Sequence, residues 1–203
     1  MCPYGARASL PANEAVAESV ATSRVAGKDA RAPYRRPQTI REMELIQAYT
    51  PHQIAQARLL FREYQSWLQI DLCFQNFEAE LANLPGDYVA PAGRLLLAYE
   101  DAELAGCVAL RRIDRGICEM KRLFLREEFR GRGLGRQLIE AIIQEAKEIG
   151  YERVRLDTLP PKMNDAIALY RSYGFKQTVP YYDNPVGGAI FMELDLRAGF
   201  REQ

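Results

Sequence analysis

The chain has 203 residues, 48% of them apolar, with 27 basic and 27 acidic side chains and a formal net charge of zero. Such a length predicts one domain of ordinary size plus an extension, and the charge balance argues against a general nucleic-acid binder, which carries a basic excess. No apolar run approaches the roughly 20 residues of a membrane-spanning helix. His52, the only histidine, leaves a zinc site, a Ser-His-Asp triad or a Cys-His pair poorly supported, and excludes any arrangement that needs a second histidine.

Residues 1–38 are rich in Ala, Ser, Pro and Arg and poor in large apolar side chains, with six basic residues against three acidic ones. This composition predicts a flexible N-terminal extension, without the apolar core of a secretory signal. A targeting segment is disfavoured by Glu14, Glu18 and Asp29. The domain is expected over 39–203. Residues 41–49 read as a strand. Thr50-Pro51-His52-Gln53 then reads as a helix start, with Thr as N-cap, Pro at the first helical position and Gln three on from the cap. Ile54, Ala57, Phe61, Tyr64 and Leu68 follow at helical spacing. A short helix is expected at 74–83, stopped by Pro85-Gly86. Three antiparallel strands are expected at 94–100, 103–113 and 117–125, broken at Asp101-Ala102 and at Asp114-Arg115-Gly116. A helix is predicted over 136–150, with Leu138, Ile142, Ala146 and Ile149 on one face and Gly150 as its stop. A strand at 153–158, a helix at 163–174 and a strand at 189–196 complete the chain. Cys2, Cys73, Cys107 and Cys118 form no CxxC pair, and Cys107 and Cys118 lie in apolar runs where a thiol is a small hydrophobe. The setting read from this is reducing and cytoplasmic, with no metal.

The stretch "FRGRGLG" (129–135) stands between the apolar run "RLFL" and the helix. The first N–H groups of a helix lack internal partners and carry the positive end of its dipole, so such an end binds anions, phosphate above all. Gly131, Gly133 and Gly135 clear side chains from those amides, and Arg130, Arg132 and Arg136 add charge. A diphosphate lying across the loop is expected. A Walker A loop would need Lys-Ser or Lys-Thr after the glycines, and the dinucleotide fingerprint would need glycine where Arg136 stands.

Arg130-x-x-Gly133-x-Gly135 preceded by "EMKRLFL", with "AIALYRSYGF" (166–175) downstream, resembles the two signatures of the GNAT acyltransferases, over roughly 41–196. The resemblance implies an α+β, three-layer α/β fold: a mixed, mostly antiparallel sheet flanked by helices and splayed between strands 117–125 and 153–158. It implies acetyl-coenzyme A as co-substrate, with the pantetheine arm in the splay against Leu123, Phe124 and Leu125 and the diphosphate on Arg130, Gly131, Arg132, Gly133, Leu134, Gly135 and Arg136. The Leu123 N–H is expected to polarise the thioester carbonyl.

Tyr170 matches the family tyrosine that protonates the leaving thiolate, and it also fits a core stripe with Ala166, Leu169 and Tyr173. Glu119 is the candidate base, because a lysine-like amine with pKa near 10.4 must lose a proton; a cross-strand ion pair fits it equally. Many relatives place asparagine seven residues before the tyrosine. That position is Met163 here, and Asn164, one residue on, is the candidate coenzyme contact. The acceptor is expected between 61–90 and 180–188, where Tyr181, Tyr182, Asp183 and Asn184 offer rings and a carboxylate to a cation. The function expected is acetyl transfer to a primary amine of a small molecule or peptide by direct attack. A silent coenzyme-binding module and a transferase of another acyl group are the alternatives. No nucleic-acid or membrane partner is expected, and a homodimer is compatible with the family.

Overall fold

A computed structural model describes residues 43–160 and 162–197, so the extension read at 1–38 lies outside the described residues. The chain forms seven strands, the central ones buried on both faces: β1 (Met43–Gln47), β2 (Arg94–Glu100), β3 (Glu103–Asp114), β4 (Ile117–Leu125), β5 (Arg153–Thr158), β6 (Lys176–Thr178) and β7 (Ile190–Asp195). Four helices accompany them: α1 (Pro51–Leu68), α2 (Phe77–Asn83), α3 (Leu134–Ile149) and α4 (Asn164–Ser172). The strands lie in the order β1-β2-β3-β4-β5-β7-β6. All neighbours are antiparallel except β4 and β5.

The start of α1 follows its sequence signal. Thr50 Oγ1 accepts from Gln53 N–H at 3.2 Å while Gln53 Oε1 accepts from Thr50 N–H at 3.0 Å, so two otherwise orphaned donors are satisfied reciprocally. The helix expected over 74–83 is interrupted. A 3₁₀ turn at Cys73–Gln75 ends at Asn76, whose φ of 54° breaks the helical path before α2 begins. Strand β6 was not expected, and α3 starts two residues ahead of the predicted 136.

The sheet is packed on both faces, giving three layers. Ala57, Leu60 and Phe61 of α1 and Phe77 and Leu81 of α2 pack with Leu95, Leu97, Cys107 and Ala109 on one face. Leu138, Ile139 and Ile142 of α3 and Ile167 and Tyr170 of α4 pack with Leu96, Val108, Leu110, Cys118 and Met120 on the other. Each helix thereby removes an apolar stripe from water, worth about 1.5–3 kcal/mol per fully buried large side chain.

Two irregularities open the site. β4 and β5 are registered only at Ile117↔Arg153, Cys118↔Val154 and Glu119↔Arg155, and the strands then part. On its other edge β4 carries a bulge: Cys107 faces Phe124 and Ala109 faces Lys121, so three residue steps of β4 oppose two of β3. The extra residue shifts the alternation. Glu119 and Lys121 lie on the α1–α2 face with Phe124, while Leu123 and Leu125 pack toward α3.

Candidate active site

The parting of β4 and β5 leaves a cleft walled by Met120, Lys121, Arg122 and Leu123 of β4, Leu156, Asp157 and Thr158 of β5, and Tyr170 of α4. Leu68 of α1, Leu72 and Phe74 close it from the opposite layer. Arg122 makes the bulge, with a φ of +56° that a non-glycine residue adopts only under constraint. Its side chain is 3% exposed and grips Glu80 of α2 through Nε (3.0 Å) and a terminal nitrogen (2.6 Å). The guanidinium also lies 5.0 Å from the Phe77 ring centroid. Glu80 accepts a third hydrogen bond, from the Tyr88 hydroxyl at 2.7 Å. Arg122 therefore does not pair with Glu119.

Glu119 is wholly buried. Arg111, its cross-strand neighbour on β3, donates to Oε2 at 2.8 Å, and the Tyr181 hydroxyl donates to Oε1 at 2.9 Å. Burial, then the carboxylate beside it, pushes the Tyr181 phenol well above its ordinary value. Tyr170 is 3% exposed, tilts against Phe175 at 5.7 Å and lines the cleft, so the core and site readings of this residue coincide. Burial pushes its phenol up too, which keeps it protonated at neutral pH.

At the mouth of α3, the N–H groups of Arg136 and Gln137 both donate to Gly133 O, at 3.1 and 3.2 Å. The helical ladder begins there and leaves the amides ahead of it directed outward. Gly131 and Gly133 have φ of +74° and +86°, and a Cβ at either would meet nothing within 4 Å. The loop is thus an open cradle of N–H groups at a helix N-terminus, which fits a diphosphate. The arginines are partly engaged. Arg132 pairs with buried Glu100, and Arg130 donates to Leu125 O at 2.9 Å and lies over the Trp67 ring at 4.9 Å. Arg136 lies over the Tyr173 ring at 5.7 Å and reaches into solvent.

Leu123 lines the cleft and Leu134 is buried behind the loop. Phe124 turns to the α1 face, against Tyr64 and Trp67. Asn164 opens α4 and is exposed; Met163 lines the cleft instead and accepts from Thr158 Oγ1 at 3.4 Å. In the 180–188 loop, Asn184 lines the cleft, Tyr181 and Tyr182 line a second hollow with Glu119 and Arg155, and Asp183 is exposed. Asp157 is the carboxylate of the cleft wall, and Glu119 lines the second hollow. Three groups escaped the sequence reading: Asp157, Lys121 and Gln75. A period-2 signal was available for two of them. Glu119-x-Lys121 and Arg153-x-Arg155-x-Asp157 each set charges on one face of an otherwise apolar strand. Gln75, in a 3₁₀ turn, carried none.

Among the described residues no group of three or more His, Cys, Asp or Glu side chains could hold a metal ion. No helix among them is long and apolar enough to cross a membrane.

Residues 54–175 match the acetyltransferase (GNAT) family, and the chain belongs to that family of acyltransferases. An uncharacterised N-acetyltransferase of Schizosaccharomyces pombe is 41% identical over 148 residues, covering 72% of this chain and 90% of its own. One from Dictyostelium discoideum is 34% identical over 217 residues, covering 76% and 99%. The PaiA N-acetyltransferase of Thermoplasma acidophilum, solved in complex with coenzyme A, shares the fold, with a TM-score of 0.58 at 18% identity over 76% of this chain and 99% of its own.

Proposed function

We propose that the protein moves the acetyl group of acetyl-coenzyme A to a primary amine of a small molecule or peptide, by direct attack within a ternary complex. One observation carries this reading: β4 and β5 pair at three positions and then separate, beside a helix whose N-terminal amides lie open. A strand edge freed in this way can hydrogen-bond an extended amide-bearing arm, and the amide cradle can take the charge at that arm's end. The coenzyme A held by the Thermoplasma protein is consistent with that use of the fold.

Acetyl-coenzyme A supplies an activated carbonyl and a thiolate leaving group. The chain's own groups do the rest. Leu123 lines the cleft beside the bulge, and its amide would polarise the carbonyl there. Glu119 serves as proton acceptor through Tyr181: the amine proton passes to the Tyr181 oxygen as the phenolic proton passes to Glu119 Oε1, 2.9 Å away. The amine nitrogen bonds the carbonyl carbon, the C–S bond breaks, and Tyr170 donates a hydrogen bond to the departing sulfur. A cysteine nucleophile is disfavoured, since burial pushes the thiols of Cys107 and Cys118 up. The free, buried thiols of Cys107 and Cys118 fit a reducing compartment such as the cytoplasm.

Thiol release from acetyl-coenzyme A, followed with and without a panel of amines, tests the reading. Release that depends on the amine, with an N-acetyl product by mass spectrometry, is expected. Saturable coenzyme binding without turnover on any amine would instead make the protein a sensor. In the same assay, Glu119→Gln should lower kcat by about 10²-fold, as loss of a general base does.

A further inference from the structure

Lys121 is a buried cation in the cleft wall, 7% exposed. Of its three donors, one reaches Gln75 Oε1 at 3.2 Å, and Glu119 Oε2 stands at 3.8 Å, beyond hydrogen-bonding distance. Glu119 is committed elsewhere, to Arg111 and Tyr181. The neighbouring guanidinium of Arg122 is paired with Glu80. Burial holds the Lys121 pKa below the ordinary lysine value, although the Glu119 carboxylate, paired at 3.8 Å, and that of Asp157 partly offset it.

A carboxylate faces it across the splay. Glu119 is registered with Arg155, the last pair before the strands part. Lys121 lies two residues beyond Glu119 and Asp157 two beyond Arg155, so the two charges occupy the same face at the narrow end of the opening. Asp157 accepts from Asn184 at 3.2 Å and from the Tyr182 hydroxyl, which itself accepts from Gln75 and Asn184 at 3.2 Å. Lys121 donates to that same Gln75, so one polar chain fixes both charges. Leu68, Leu72, Phe74 and Leu159 give the wall an apolar stretch.

We infer that the acceptor is a free α-amino acid with an apolar side chain, its carboxylate on Lys121, its amino group toward Asp157 and its side chain against the wall of Leu68, Leu72 and Phe74. This rests on the acetyl-transfer reading and narrows it. A polyamine would bring a second cation to Lys121, and a peptide would leave Lys121 with only the distant Glu119 and Asp157 carboxylates for charge partners. Both are therefore at a disadvantage against a ligand that carries its own carboxylate. A zwitterion satisfies both charges at once.

The test compares L-leucine and L-phenylalanine with their amides, a tripeptide of the same N-terminal residue and spermidine, at saturating acetyl-coenzyme A. The free amino acid is expected to exceed its amide by at least about tenfold in kcat/KM, as a buried charge left with only distant partners requires. Lys121→Met should bring that ratio to about one and Lys121→Arg should keep it, with the coenzyme A Kd unchanged in both. Asp157→Asn should raise KM for amino acid and amide alike. Equal or better use of the amide, peptide or spermidine by the natural protein overturns the inference while leaving acetyl transfer intact, as does a preference that survives Lys121→Met. If no amine is turned over, acetyl transfer fails. Calorimetry of L-leucine against leucinamide on the coenzyme A-loaded protein then decides the inference: binding of leucine alone upholds it, and equal or no binding overturns it.

Discussion

At the scale of single residues, burial settles what the titratable groups can do. Tyr170 holds its proton because desolvation disfavours the phenolate. A thiol near 8.5 is a stronger acid than this phenol, so full transfer to the thiolate is uphill and the hydroxyl acts by donating a hydrogen bond. Tyr170→Phe should lower kcat by about 10- to 100-fold, as the loss of one hydrogen bond to a charged atom implies. Because its phenol is raised, the natural protein should show no loss of kcat on the alkaline side below about pH 10, which a pH–rate profile checks. Glu80 supplies the opposite case. Burial alone would raise its carboxyl, but Arg122 holds it below the ordinary value. The sign follows: the pair stabilises the fold above the unfolded carboxyl pKa, and that contribution is lost as pH falls through the lower, folded value. Glu80→Gln leaves Arg122 buried without its carboxylate and should cost about 3–5 kcal/mol at pH 7. The difference from the natural protein should narrow in acid, as read by denaturant unfolding at pH 7 and pH 3. Glu80 touches no substrate; it acts by holding the residue that makes the bulge.

At the scale of elements, the mouth of α3 separates folding from binding. Gly133 needs its φ of +86°, so any side chain there is strained. Gly135 differs. It has no unusual φ, and a Cβ would sit 3.6 Å from Leu125 Cδ1, an ordinary contact. In the first turn of a helix, alanine is preferred to glycine by up to about 1 kcal/mol. Gly135→Ala should therefore leave Tm unchanged or raised, yet weaken coenzyme A binding by about tenfold or more in calorimetry, because the lost space belongs to the ligand. The glycine loop and the capped start of α1 were legible in the sequence for one reason: each is a local backbone requirement with its own residue types. The short strand β6 was not, since three residues carry too little alternation to show a period. Nor was the break at Asn76, where a left-handed residue interrupts an otherwise helical composition.

For the whole molecule, the sheet order follows from turn signals and apolar runs, but the splay does not. Nothing in "ICEMKRLFL" or "RVRLDT" says that pairing stops after Glu119 and Arg155; that depends on the bulge at Arg122 and on what packs behind it. Only the resemblance to a known family brought the splay into view. The charges it exposes, Lys121 and Asp157, look like solvated strand residues until the two strands are placed side by side. The joint between β4, β5 and α3 is the centre of the account, and amide chemical shifts in ¹⁵N-labelled protein titrated with coenzyme A test it most directly. The account predicts saturable shifts at Leu123 and at 131–136 with one common Kd; saturable binding that leaves those amides unmoved would contradict it.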